Sequence, residues 1–199
     1  MNKHNSEPTK ERLLSSGVDL FSKKGYSGVS VREICKHAET SMNMIHHYFG
    51  NKEGLLNSII ESYGQNVFVF PLKLLAKEPI SRTDFFSRIE LVFETTLDAY
   101  IENSLVLMIT IREQKSPTSL IEYAECFKNF IAIGKQKGFV RKELDVEMIT
   151  GFILDRITNQ VHFASWIKSD TGADILNDQE YLKRWSKSNV DLFINGIAS

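Results

Sequence analysis

Cysteine is nearly absent. Cys35 and Cys126 are the only two in 199 residues. So sparse a pair excludes a disulfide-stapled scaffold and a cysteine-built metal centre. Each sits among apolar neighbours and is expected as a small buried hydrophobe. Proline is also scarce, and Pro8, Pro71, Pro79 and Pro117 all fall where a helix should start or stop. Long apolar runs are missing. The longest, residues 105–109, is far below the ~20 residues needed to span a bilayer. The polar opening MNKHNSEPTKER is no secretory leader. A cytoplasmic protein with no membrane partner is expected, with residues 1–7 as a frayed tail.

Catalytic signatures are lacking too. There is no G-x-x-x-x-G-K-[ST], G-x-G-x-x-G, H-E-x-x-H or G-x-S-x-G. Gly25-Tyr26-Ser27-Gly28 only approaches the last and falls between helices. His46 and His47 are adjacent, so on a helix they point about 100° apart and cannot share one metal. No enzyme activity, cofactor or metal is expected. Charge of one sign is also missing, since the net charge is −1. Residues 1–55 carry 8 Lys/Arg against 6 Asp/Glu, a net +2, and the remainder carries 16 against 19, a net −3. That bias suits a local nucleic-acid footprint rather than a basic protein.

What is present is concentrated in residues 30–49, SVREICKHAETSMNMIHHYF. Ser30 followed by Glu33 is a capping-box signature. Val31, Ile34, Cys35 and Ala38 then recur at helical spacing. Glu39-Thr40-Ser41 interrupts them, and Ser41 can cap a second short helix. In that helix Ile45 and Phe49 form an inward i, i+4 pair. Met42, Asn43, His46, His47 and Tyr48 are left facing out. Solvated faces are usually Lys and Glu, whereas Asn can read adenine, His and Tyr can donate to phosphate, and Met can touch a thymine methyl. Two short helices joined by a tight turn fit a helix-turn-helix whose second helix enters the major groove. A plain surface αα-hairpin is the alternative on this pattern alone.

The flanks extend the pattern. Leu13, Leu14, Val18, Leu20 and Phe21 give a preceding amphipathic helix that stops at Gly25. Lys52 opens a following helix, and a cation there opposes the helix dipole unless a phosphate sits nearby. Ser30 either only caps or also contacts phosphate with its hydroxyl. The run LFSKKGYSGVSVREICKHAETSMNMIHHYFGNKEGLL resembles the N-terminal domain of the TetR family of transcriptional regulators, over roughly residues 9–60. Glu39 stands where the family usually has a turn glycine, His46 where it has tyrosine, and Met42-Asn43 where it has Lys-Gly.

The resemblance implies an all-α protein of about nine helices. A three-helix helix-turn-helix DNA-binding domain would span residues 8–54, with the motif at about 30–49. A helical ligand-binding and dimerisation domain would span residues 55–199. The DNA contacts expected are Ser30, Arg32, Ser41, Met42, Asn43, His46, His47, Tyr48 and Lys52, on a palindromic double-stranded operator. The helix opened by Lys52 should end before Pro71. Apolar patterns then mark helices at 83–102, 104–114 (buried all round), 117–137, 146–168 and 178–198. The last two, with stripes including Ile149, Phe152, Ile157, Leu182, Trp185 and Leu192, are the candidate homodimer interface, unless they only complete one subunit's core.

Polar residues set in apolar helices are the clues to a small-molecule effector site. Asn159, Gln160 and His162 lie beside Phe163 and Trp166, and Tyr100 and Met108 could line an opposite wall. The overall expectation is a repressor released by a small apolar or amphipathic inducer. An architectural or division-control DNA binder on the same fold is the alternative.

Overall fold

The computed structural model describes residues 6–198. Of the expected tail, residues 1–5 lie outside the described residues, while Ser6 and Glu7 already belong to the first helix. The described chain is all-helical. Its helices are α1 (Ser6–Lys24), α2 (Val31–His37), α3 (Met42–Phe49), α4 (Lys52–Leu75), α5 (Arg82–Glu102), α6 (Ser104–Glu113), α7 (Thr118–Gln136), α8 (Val146–His162), α9 (Ala164–Thr171) and α10 (Gln179–Ile197). One isolated bridge pairs Val140 with Ala198.

Two compact units result. The first holds the chain up to Gln65 together with Asn103–Thr118, and the second holds Asn66–Glu102 and Ser119–Ser199. So α6 is part of the first unit although α5 and α7 on either side belong to the second. Leu13, Phe21, Ile34, Ile45 and Leu55 are fully buried in the first unit. Each contributes about 1.5–3 kcal/mol by leaving water. Gly17 lies against α4, where an added Cβ would come 2.7 Å from Ile59 Cδ1 and 3.4 Å from Leu55 Cδ2. A side chain there would push α1 off α4.

Charged residues bind α6 into that unit. Arg112 Nη1 donates to the carbonyls of Phe21 (3.2 Å) and Ser22 (3.0 Å) in the last turn of α1. Glu113 Oε1 accepts from the Tyr26 amide at 3.0 Å. Lys115 Nζ reaches Glu53 Oε1 and Asn57 Oδ1, both at 3.0 Å. The Thr118 amide donates to Glu61 Oε1 at 3.1 Å.

The second unit is built on stacked aromatics. Phe68 stacks on Tyr123 at 5.1 Å and meets Tyr100 edge-on at 6.1 Å. Phe85 stacks on Phe130 at 5.0 Å. Beside this pair a Cβ at Gly134 would fall 2.3 Å from Phe85. Phe93 stacks on Trp185 at 5.5 Å, and Arg156 lies 4.9 Å from the Trp185 ring while its Nε donates to Asn189 Oδ1 at 2.7 Å. Aromatic pairs of this kind exceed their area burial by about 0.5–1.5 kcal/mol.

Several boundaries differ from the sequence reading. The fourth helix does not stop at Pro71 but carries it internally and ends at Leu75. Pro71 and Leu75 are both buried on one face, and Ala76 N still donates to Leu72 O at 3.0 Å. That burial offsets the roughly 3 kcal/mol usually lost to an internal proline. The stretch expected as one helix over 146–168 divides at Phe163 into α8 and α9. The Phe163 amide still donates to Asn159 O, and its carbonyl still accepts from Ile167 N, so the ladder kinks rather than breaks. This division gives ten helices in the described chain rather than nine. Nor is α6 buried all round, since Leu105 is exposed while Val106, Leu107, Ile109 and Thr110 are buried.

Candidate nucleic-acid interface

Ile45 alone anchors α3 fully, with no exposed surface. Phe49, expected as its equal partner, is only half-buried. Residues on the other sides of the helix therefore cannot reach the core. Met42, Asn43, His46 and His47 are exposed, and Tyr48 is half-buried. His47 meets the Tyr48 ring edge-on at 4.8 Å. His46 Nδ1 lies 2.8 Å from the Gly50 carbonyl and must donate to it. In the neutral ring Nε2 then only accepts. It can donate to a phosphate only when the ring is doubly protonated.

The helices around α3 are fixed by their caps. Ser30 Oγ accepts from Glu33 N at 3.2 Å, as the S-x-x-E spacing predicts. The return half of the capping box is replaced, because the Glu33 carboxylate pairs with Lys24 Nζ. That ammonium holds Glu33 below its ordinary carboxylate range. Ser41 is the N-cap of α3 in position only, for its side chain makes no cap hydrogen bond. Its hydroxyl is exposed, as are Ser30 and Arg32. His37 ties α2 to α1 through Nδ1 to Ser16 Oγ at 3.0 Å, with Asp19 3.5 Å from its other nitrogen. Cys35 is buried, which pushes its thiol up, and Cys126 is half-buried.

Two backbone features frame the turn. Gly50 ends α3 at φ +78°, with no atom near a would-be Cβ. Glu39 holds φ +50°, a left-handed conformation that favours glycine. The non-glycine residue therefore keeps the turn's shape and bears the strain of it.

Lys52 has partners that the sequence did not suggest. Its Nζ donates to the carbonyls of Tyr26 (2.9 Å) and Val29 (2.8 Å) and lies 4.1 Å from the centre of the Tyr26 ring. These acceptors answer the misplaced cation at the start of α4. They also make Lys52 a tie on the loop before α2. Its third proton is not used by these contacts. Tyr26 and the α6 anchors Arg112 and Glu113 were missed by sequence reasoning. The charged run REQK closing an apolar helix was the available signal.

The residues proposed for an effector site differ in burial and are divided between the two units. Tyr100 is buried on α5, and its hydroxyl is pushed up to about 12 by that burial against a countering bond from Thr158. Gln160 is buried on α8, its Nε2 3.4 Å from the Tyr181 hydroxyl. His162 is half-buried, with Nδ1 unpartnered and its ring edge-on to Phe163 at 4.7 Å. Asn159, Phe163 and Trp166 are exposed, so they line no interior wall of this subunit. Met108 is half-buried on α6, in the first unit.

The α8 and α10 stripes separate into two rows. Ile149, Ile153, Ile157, Leu182, Trp185, Val190 and Phe193 are buried within the subunit. Met148, Phe152 and Leu192 are 69%, 61% and 75% exposed. These three border an open apolar cleft of about 310 Å³, with Phe152 stacked on Phe193 at 6.4 Å.

Comparison with known proteins gives consistent results. Residues 13–59 match the family described as bacterial regulatory proteins, tetR family. The HTH-type transcriptional regulator UidR of Escherichia coli K12 is 25% identical over 162 residues, covering 75% of this chain and 78% of that protein. The fatty acid metabolism regulator protein of Bacillus subtilis is 25% identical over 198 residues, covering 96% of each. Among solved structures, FadR of Bacillus subtilis in complex with stearoyl-CoA superposes with a TM-score of 0.71 at 20% identity, covering 94% of this chain and 98% of that one. No helix of the described residues is long and apolar enough to cross a membrane.

Proposed function

We propose that this chain, whose residues 13–59 match the tetR family of bacterial regulatory proteins, is a TetR-type repressor that grips a palindromic operator as a homodimer and lets go when an amphipathic ligand binds. The observation that carries the DNA half is the exposed Met42, Asn43, His46 and His47 on a helix anchored by Ile45. Asn43 is the base reader. His46, His47, Ser41, Arg32 and the remaining proton of Lys52 are the backbone contacts, with Tyr48 packing beside His47. A single eight-residue helix reads one half-site, so two copies are required for affinity and spacing. The apolar row Met148, Phe152 and Leu192 supports pairing through α8 and α10, because three large side chains left in water favour cover by a second copy.

The effector reading rests on likeness. A regulator of fatty acid metabolism aligns along almost the whole chain, and a fold neighbour was solved with stearoyl-CoA. A long-chain acyl thioester is thus the first candidate class. Chain connectivity supports two routes for its signal. Helix α4 is shared between the units, and α6 is tied to α1 by Arg112 while its sequence neighbours lie in the second unit. A ligand shifts such a balance only by its unequal affinity for the two settings.

Selection of duplexes from a random pool, followed by gel retardation of the winner with and without acyl-CoA, tests this. A palindromic winner released by acyl-CoA is the expected result. Retention of scattered, non-palindromic sites unaffected by ligand would favour the architectural reading instead.

A further inference from the structure

His46 and His47 are neighbours on α3 and both are exposed, yet their rings are held differently. The end of the helix closes on His46 twice. Its carbonyl accepts from the Gly50 amide at 3.2 Å, and its Nδ1 donates to the Gly50 carbonyl at 2.8 Å. A carbonyl has no proton to give, so Nδ1 must carry one. The neutral ring then offers solvent only the lone pair of Nε2. His47 has no such lock. Its ring meets the edge of Tyr48 at 4.8 Å, and neither nitrogen is hydrogen-bonded among the described residues. It is free to carry its single neutral proton on either one.

DNA phosphate oxygens accept hydrogen bonds and give none. Neutral His47 can donate to one. Neutral His46 can only turn a lone pair toward it, which repels. A second proton, on Nε2, makes His46 a donor at both nitrogens and keeps the bond to Gly50. Both histidines lie in the last turn of α3, where positive charge does not oppose the helix dipole. The charged groups around them are engaged elsewhere. On α1 and α2, which pack on α3, Asp19 pairs with Lys23 and His37, and Glu33 with Lys24. Beyond α3, Lys52 is held by the carbonyls of Tyr26 and Val29, and Glu53 by Lys115. The exposed Arg32, Lys36 and Glu39 make no bond to His46, whose one side-chain partner among the described residues is Gly50.

We propose that operator binding takes up a proton on His46 of each subunit, so that acidification tightens the hold on DNA through this residue rather than through His47. The proposal rests on the reading of α3 as a DNA-binding helix, and it adds proton concentration as a regulator of that site. Imidazole is the side chain whose charge ordinarily changes between about pH 5 and 8.

The test follows fluorescence anisotropy of the selected duplex with the full chain, from about pH 6 to 8 at fixed ionic strength. Wild-type affinity should fall by about tenfold or more across that range, since up to one bound proton per subunit is lost. His46→Tyr keeps a donor at every pH in the range and should bind with a flattened dependence. His46→Gln should flatten it likewise. His47→Gln should weaken binding at every pH and keep the greater part of the wild-type slope. His37 titrates alike in all four proteins, so the differences between slopes carry the result. The salt dependence gives a second readout. It should be steeper at the acid end by about one ion per subunit in wild type, and equal at both ends in His46→Tyr. Equal pH slopes in wild type and both His46 variants would overturn the proposal, as would a slope that disappears with His47→Gln instead. Affinity that rises with pH through His46 would make neutral Nε2 an acceptor for a base amino group, and it too would overturn the proposal. Failure of the underlying reading looks different, for then no duplex is held at any pH.

Discussion

The face of α3 and the face shared by α8 and α10 both keep large side chains in water, but of different kinds. On α3 they are Asn, His and Met around one buried isoleucine, with exposed polar groups beside them. On α8 and α10 they are Met148, Phe152 and Leu192, backed by a fully formed core. Exposure alone separates neither from an ordinary surface. The chemistry of the exposed atoms does, since amide and imidazole nitrogens suit phosphate and base edges, whereas bare hydrocarbon suits hydrocarbon. The two faces also depend on each other. A reader that touches a handful of bases needs the second copy that the apolar face recruits.

Breaking the apolar face should have the largest effect. Phe152→Glu with Leu192→Glu should leave the fold intact, because both positions are solvent-facing, yet yield monomers in sedimentation and lower operator affinity by a hundredfold or more. Dimers persisting in that variant would assign the pairing to another surface. Asn43→Ala should cost ~1–3 kcal/mol on the selected operator and relax preference at one position. Equal loss on specific and random duplexes would remove Asn43 from the reading role. Lys52→Ala should weaken binding on all sequences and flatten the salt dependence by about one ion. An unchanged salt slope with a lowered melting temperature would make Lys52 a loop tie only.

Smaller effects test the frame. Glu39→Gly should stabilise the chain by ~1 kcal/mol in denaturant unfolding, because glycine occupies φ +50° without strain. Glu94 and Asp98, one turn apart on α5, form an acid row that supplies a pH signature. Glu94 and Asp98 are raised above their ordinary values of 4.5 and 3.8. Their stabilising contribution is complete below those ordinary values and is lost as pH rises through the raised, folded ones. Lys183 is the charged group facing them from α10 and moderates the effect. Asp84, lowered first by its bond to Arg88, acts in the opposite sense and loses its contribution as pH falls. The melting temperature of Glu94→Gln/Asp98→Asn should therefore gain on the wild type as pH rises toward neutrality. Parallel curves would show that the row carries no such cost.

Local signals read well and distant ones poorly. Ser30's cap, the inward Ile45, the outward Asn43 and His46 and the glycine stop at Gly25 all follow from spacing within a few residues. The kink at Phe163 has no proline or glycine to announce it. Continuation through Pro71 depends on burial of Leu75, which only the packed unit supplies. Lys52 read as a stranded cation because its acceptors, the carbonyls of Tyr26 and Val29, lie 26 and 23 residues away. Asn159 and Gln160, both expected at the effector site, differ in burial for a local reason. Helical spacing places Asn159 and Gln160 100° apart, so one is buried and the other exposed.

The bonds from Arg112, Glu113, Lys115 and Thr118 to α1, its following loop and α4 have a consequence for biosynthesis. The amino-terminal third of the polypeptide leaves the ribosome without the segment that secures it. A nascent chain stalled at Gln65 lacks every one of those anchors, and protease should nick it near Tyr26. Chains stalled well after Thr118 should resist the same cut.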